Sequence, residues 1–227
     1  MSIESSFLEP LGLRFVSGQC DELLLSYNDD PKLGPPSLAH LTATEYVSLG
    51  YVSEAVYNDY YSFSFVRDPY ARTVSLFKNY NLQRMISFKA FVKKELPRLW
   101  EDSYYFVRPQ VEYVYNDDGT LMVDFIGKFE NLQQDFEKVR NTISHPVAKL
   151  GSVNRSKHSH RPLSPYNLKF MMRMLKMKPY LLYNLNPFFS VKQPMGQLYD
   201  AESQRMVEQY YEKDFEMFNY TLGISKR

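Results

Sequence analysis

The sequence predicts an α/β fold, a three-layer sandwich in which helices cover both faces of a central parallel sheet. Three observations carry this expectation. Apolar runs of strand length, at 61–66 and 121–126, each lead into a helical pattern. Helix-start signals follow both runs: Asp68-Pro69 after the first and Asn131 after the second. The chain has 227 residues, enough for one α/β domain with a real core.

The elements follow in order. Residues 2–11 read as a short helix stopped by Pro10 and Gly12, and 13–17 as a short strand. Asn-Asp-Asp-Pro and Gly34-Pro35-Pro36 make 28–37 a loop. Residues 38–49 form a His-containing loop and then a helix, capped by Thr42 or Thr44. Residues 61–66 are a buried strand and 69–80 its helix. The 87–96 segment is an amphipathic helix with Phe88, Phe91, Val92 and Leu96 on one side. Loop and helix surround Pro109, and Asn116-Asp117-Asp118-Gly119 is a turn. After the 121–126 strand, Asn131 caps a helix to about 143, which His145-Pro146 ends. A basic polar loop occupies 151–163. Ser164-Pro165 starts a helix to about 176, 177–198 is irregular, and Asp200 caps the last helix, 201–213.

Composition narrows the function. The net charge is +1, so no global electrostatic argument points to nucleic acid or a membrane. The 19 Tyr and 16 Phe are read mainly as core and interface filling. One cysteine, Cys20, permits no intrachain disulfide. That fits a reducing, cytoplasmic setting and leaves a Golgi-lumenal one open. There is no apolar run of membrane-spanning length. Residues 1–10 carry Glu4 and Glu9 without a basic start, so no signal peptide is expected. The sequons at Asn154 and Asn219 matter only in a secretory compartment.

The chemistry concentrates at the first strand-to-helix corner, Phe63 to Ser75. Arg67 ends the strand, Asp68 is a natural N-cap, and Pro69 suits the first helical turn. Free N–H groups, a positive dipole end and a guanidinium fork together suit a phosphate. Arg72, Ser75 and Asn79 share one stripe, while Val74 and Phe77 face the sheet. An ordinary strand–helix junction is the competing reading. Arg72 is expected to pair with Asp68 or a neighbouring carboxylate, so it stays outside the site.

The spacing R-D-P-x-x-R-x-x-S resembles the 3′-phosphate-binding segment of sulfotransferases that use 3′-phosphoadenosine-5′-phosphosulfate (PAPS). Three further segments resemble the carbohydrate-type (family 2) branch, in the family's order. They are Ala39-His40-Leu41-Thr42-Ala43, then Phe125 to Leu132 with Asp135-Phe136, and last Asp214 to Tyr220. The resemblance implies a P-loop-like sulfotransferase fold, one domain over 1–227 with an insertion at 161–198. It implies transfer of a sulfuryl group from PAPS to a hydroxyl, expected to be a carbohydrate's, with adenosine 3′,5′-bisphosphate as product. Arg67 and Ser75 would hold the 3′-phosphate.

The remaining assignments also follow from this resemblance. His40, upstream of the phosphate-binding strand, becomes the candidate base, since histidine titrates in the range such proton removal needs. Capping or packing of the following helix is its alternative role. Asn154-Arg155-Ser156 resembles the family's Asn-Lys-Ser segment, and Arg155 is the expected nucleotide ligand there. Glu130 is read as pairing with a basic neighbour and Asp135 as favouring a helix's first turn. His158 and His160 lack a Cys or carboxylate at ligand spacing, so no metal is expected. Met1-Ser2-Ile3-Glu4 aligns just after the family's first strand and Lys-x-Gly-x-Thr-Ser loop, both expected to be missing here. The alternative is a catalytically impaired remnant that binds a nucleotide or glycan. A nucleotide kinase would need a Walker lysine and a Mg²⁺ carboxylate, and the sequence supplies neither. The acceptor and the oligomeric state are not legible.

Overall fold

A computed structural model describes residues 3, 6–7, 28–143, 150, 165–186 and 195–224. The chain divides into two compact units, Met1–Arg67 with Gln110–Ser156, and Asp68–Pro109 with Lys157–Arg227.

The first unit holds the sheet. Strands β1 (Phe63–Val66) and β2 (Phe125–Lys128) pair in parallel, with Phe63 opposite Phe125 and Val66 opposite Lys128. Parallel pairing is as expected, but the sheet has two strands among the described residues. The second strand also starts later than its apolar run. Leu121 is taken by an antiparallel bridge to Tyr115 across the Asn116–Gly119 turn, where Gly119 sits at φ 78°. The ladder then starts at a staple: Ser62 N–H donates to Asp124 Oδ2 at 2.7 Å, and Asp124 N–H donates to the Ser62 carbonyl at 2.9 Å.

Helices close this unit by local rules. Thr42, not Thr44, caps Ala43–Ser48 with a full capping box: its hydroxyl accepts from Glu45 N–H, and Glu45 accepts from Thr42 N–H. Ser53 caps Glu54–Asp59. The helix Leu132–Thr142 buries Phe136 and Val139, and Phe7 packs on both Phe63 and Phe136. Asn131 stands at its start without a side-chain cap bond, because a 3₁₀ turn, Phe129–Asn131, leads in.

The second unit is helical. Asp68 caps Pro69–Asn79 by accepting from Ala71 N–H at 2.9 Å. Val74 and Phe77 both enter the core of this unit. Phe77 lies 5.5 Å from Phe88 and 5.2 Å from Phe91, so this helix buries its apolar face in a helical core. Ser87 caps the next run, which goes from α (Phe88–Ala90) through a π stretch (Phe91–Glu95) to α again (Leu96–Asp102). Pro97 has no N–H for the carbonyl four residues back, and the wider π turn passes that point.

Glu95, almost fully buried, answers to three donors. Arg98 Nη1 is at 3.1 Å, Lys178 Nζ at 3.2 Å and the Tyr180 hydroxyl at 3.1 Å. Burial pushes the Lys178 ammonium's pKa down, but Glu95 and Tyr180 outweigh it and raise it. This network pins the stretch after helix Pro165–Met177, whose Phe170, Met171, Met174 and Leu175 pack on the core. Asp200 caps Ala201–Tyr210 as expected, in a reciprocal box with Ser203. A further short helix, Glu212–Met217, follows where one continuous helix was expected.

Candidate functional site

Register brings the first pair of residues together. Val66 is opposite Lys128, so Arg67 and Phe129 follow side by side. The Arg67 guanidinium carbon stands 4.6 Å from the centre of the half-exposed Phe129 ring, a cation–π contact. The main chain of Arg67 is held as well. Its N–H donates to Gln110 Oε1 at 2.8 Å, and Gln110 Nε2 donates back to its carbonyl at 2.8 Å. Arg67 is thus fixed at both ends, and a guanidinium so presented supplies a planar fork of donors for a phosphate.

The end of β2 is fixed by Gly127 and Asp135. A Cβ on Gly127 would stand 2.7 Å from Phe65 Cδ1 and 3.1 Å from Asp135 Cβ, so only glycine fits beneath the Phe65 ring. Asp135 does more than favour a helix's first turn. Its Oδ2 accepts from Lys128 N–H at 2.8 Å and its Oδ1 pairs with Lys138 at 2.7 Å. The Lys138 bond, helped by Lys128 N–H and opposed by burial, holds this carboxyl below its usual range. The acid of the Asn131-to-Phe136 segment therefore has a positioning role, while Glu130 is exposed.

His40 ends a 3₁₀ turn, Leu38–His40, anchored by the buried Leu38 and Leu41. Its side chain is half-exposed, and Thr42 rather than His40 caps the following helix. His40 and Arg67 belong to the first unit.

Ser75 belongs to the second unit and is exposed on helix Pro69–Asn79. Among the described residues, Arg72 on the same helix pairs with no carboxylate. Its Nη2 donates to the Arg108 carbonyl at 2.8 Å, and its guanidinium lies over the Tyr211 ring at 5.2 Å. Tyr211 donates to the neighbouring Val107 carbonyl at 3.0 Å. The two side chains satisfy successive carbonyls at the end of helix Tyr104–Val107, groups a helix leaves without internal partners. Arg155, His145, His158 and His160 lie outside the described residues.

Sequence reasoning missed Gln110, because no local rule links it to a residue 43 positions away. Phe129 was within reach, since it stands inside the Gly-Lys-Phe-Glu segment directly after the second strand.

Among known proteins, the chain is 36% identical over 106 residues to an uncharacterized protein of Archaeoglobus fulgidus, covering 42% of this chain and 77% of that one. No solved structure matches it. Residues 27–221 match the profile of the sulfotransferase family, over a parallel β1–β2 pair and the Arg67 corner that ends it. The chain belongs to the sulfotransferase family.

Proposed function

We propose that this protein transfers a sulfuryl group from PAPS to a hydroxyl, most fittingly of a carbohydrate. The observation that carries the reading is Arg67, held by Gln110 and Phe129 at the end of β1 in a sulfotransferase-family chain. Arg67 and Ser75 bind the 3′-phosphate, and Arg155 assists the nucleotide. The acceptor oxygen attacks sulfur, the bond from sulfur to the phosphate oxygen breaks, and His40 takes the acceptor's proton. Adenosine 3′,5′-bisphosphate then leaves. The parallel pair supports reading the fold as the P-loop-like three-layer sandwich, one domain with an insertion at 161–198. The lone Cys20 supports a cytoplasmic setting.

Two measurements on the full chain test this. Calorimetry compares adenosine 3′,5′-bisphosphate with 5′-AMP, and sulfuryl-labelled PAPS is incubated with hydroxyl-bearing acceptors. Tighter binding of the bisphosphate and label on a carbohydrate are expected. Equal binding of the two nucleotides would remove the 3′-phosphate assignment. Binding without any transfer would make the chain a nucleotide-binding protein instead.

A further inference from the structure

The small net charge hides a strong segregation. No Asp or Glu occurs between Glu137 and Asp200, while eleven Lys and Arg do. The rest of the chain carries all 26 acids against 16 bases. Within the acid-free stretch, helix Pro165–Met177 and the following turn Pro179–Asn184 show a mixed outer face. Leu168, Met172 and Lys176 form one exposed row at a spacing of four, and Lys169, Arg173 and Met177 the next. Met172 and Met177 are 62% and 66% exposed, and just beyond them Leu182 is exposed and Tyr183 is 92% exposed. The helix already spends Phe170, Met171, Met174 and Leu175 on the core, so packing does not account for these outer side chains. Large exposed apolar side chains clustered in one place mark an interaction surface.

We propose that the outer face of residues 165–183 docks on an anionic membrane surface. Lys169, Arg173 and Lys176 would meet lipid headgroups, while Leu168, Met172, Met177, Leu182 and Tyr183 enter the headgroup layer. Charge complementarity favours an anionic partner, because no acid lies within this stretch to oppose it. The interleaved aliphatic side chains favour lipid over a sulfated polysaccharide, which gains from cations and hydrogen-bond donors but little from Leu and Met. Such docking needs no spanning segment, and no helix among the described residues is long and apolar enough to cross a membrane. The proposal does not depend on the sulfuryl-transfer reading.

Co-sedimentation of the full chain with phosphatidylcholine vesicles, with and without phosphatidylserine, tests it. Binding only to the phosphatidylserine vesicles, weakened by salt, is expected. Lys169→Gln/Arg173→Gln/Lys176→Gln should weaken it about a hundredfold, at roughly fivefold per cation. Leu168→Ser/Met172→Ser/Met177→Ser, which leaves every charge in place, should also bind less. All six positions are exposed, so both variants should melt as the parent does. No sedimentation, equal sedimentation with both vesicles, or an unweakened serine variant would overturn the proposal. In the last case, retained binding to a sulfated polysaccharide would reassign the face to glycan.

Discussion

The carboxamide of Gln110 stands beside Arg67 as a neighbouring strand's peptide group would, accepting from its N–H and donating to its carbonyl, both at 2.8 Å. One buried side chain thus extends the hydrogen-bonded edge of β1 by a residue. Gln110→Ala removes both of these partners at once. Each such loss costs about 1–3 kcal/mol. Chemical denaturation should show a drop of that order, and calorimetry a larger loss of affinity for adenosine 3′,5′-bisphosphate than for 5′-AMP. An equal loss for both nucleotides would separate Gln110 from the 3′-phosphate.

Arg67→Ala should raise the Kd for the bisphosphate by roughly tenfold to a hundredfold, the equivalent of a charge-assisted contact worth about 1.5–3 kcal/mol. Binding of 5′-AMP should barely change. If both nucleotides weaken together, Arg67 holds something other than the 3′-phosphate.

For His40→Ala, kcat should fall by about 10²- to 10⁴-fold, while nucleotide affinity stays as it was. In the proposed reaction His40 acts on the acceptor and not on the nucleotide. Normal turnover in this variant would make His40 purely an anchor of its 3₁₀ turn.

Gly127→Ala should destabilise by about 1–3 kcal/mol, because the new methyl collides with the Phe65 ring and meets Asp135. Phe65→Leu in the same chain should return part of that loss. A double-mutant cycle reads the coupling directly, and additivity would show that the clash is relieved elsewhere.

Acid titration should reveal Asp200. Burial pushes its carboxyl up, but the Ser203 hydroxyl and N–H, with Lys93, outweigh this and hold it well below its ordinary 3.8. A depressed folded value means stability that is complete above 3.8 and lost as pH falls through the folded value. Asp200→Ala should cost about 0.5–2 kcal/mol at neutral pH, the size of a lost cap. It should also flatten that part of the acid limb in thermal melts followed across pH.

The caps at Asp68 and Asp200, and Thr42 as one of two candidates, were legible because capping is local: the acceptor side chain and the N–H it serves lie within a turn. The first strand-to-helix corner was legible for the same reason, whereas at the second Asn131 makes no cap bond behind its 3₁₀ turn. The start of β2 was not, since Leu121 and Phe125 are similar to local reasoning and only the Ser62–Asp124 staple separates bridge from ladder. The ring partners of Phe77, Phe88 and Phe91, also escaped. Periodicity gives the apolar face of a helix but not the element that receives it. Arg72 escaped too, because its acceptor is a main-chain carbonyl rather than a side chain a motif would advertise. At the site, Arg67 could be named from its corner, whereas Gln110 becomes its neighbour only through the fold.

One consequence of the Glu95 network concerns how the second unit opens. A single carboxylate serves donors on its own helical run and on 178–180. Releasing Lys178 and Tyr180 leaves an almost fully buried charge with Arg98 as the remaining one of these three partners, so partial detachment of that stretch is costly. Amides around 181–185 should therefore exchange with solvent at the rate of the 91–102 run, as one foldon, even though Leu182 and Tyr183 stand in water.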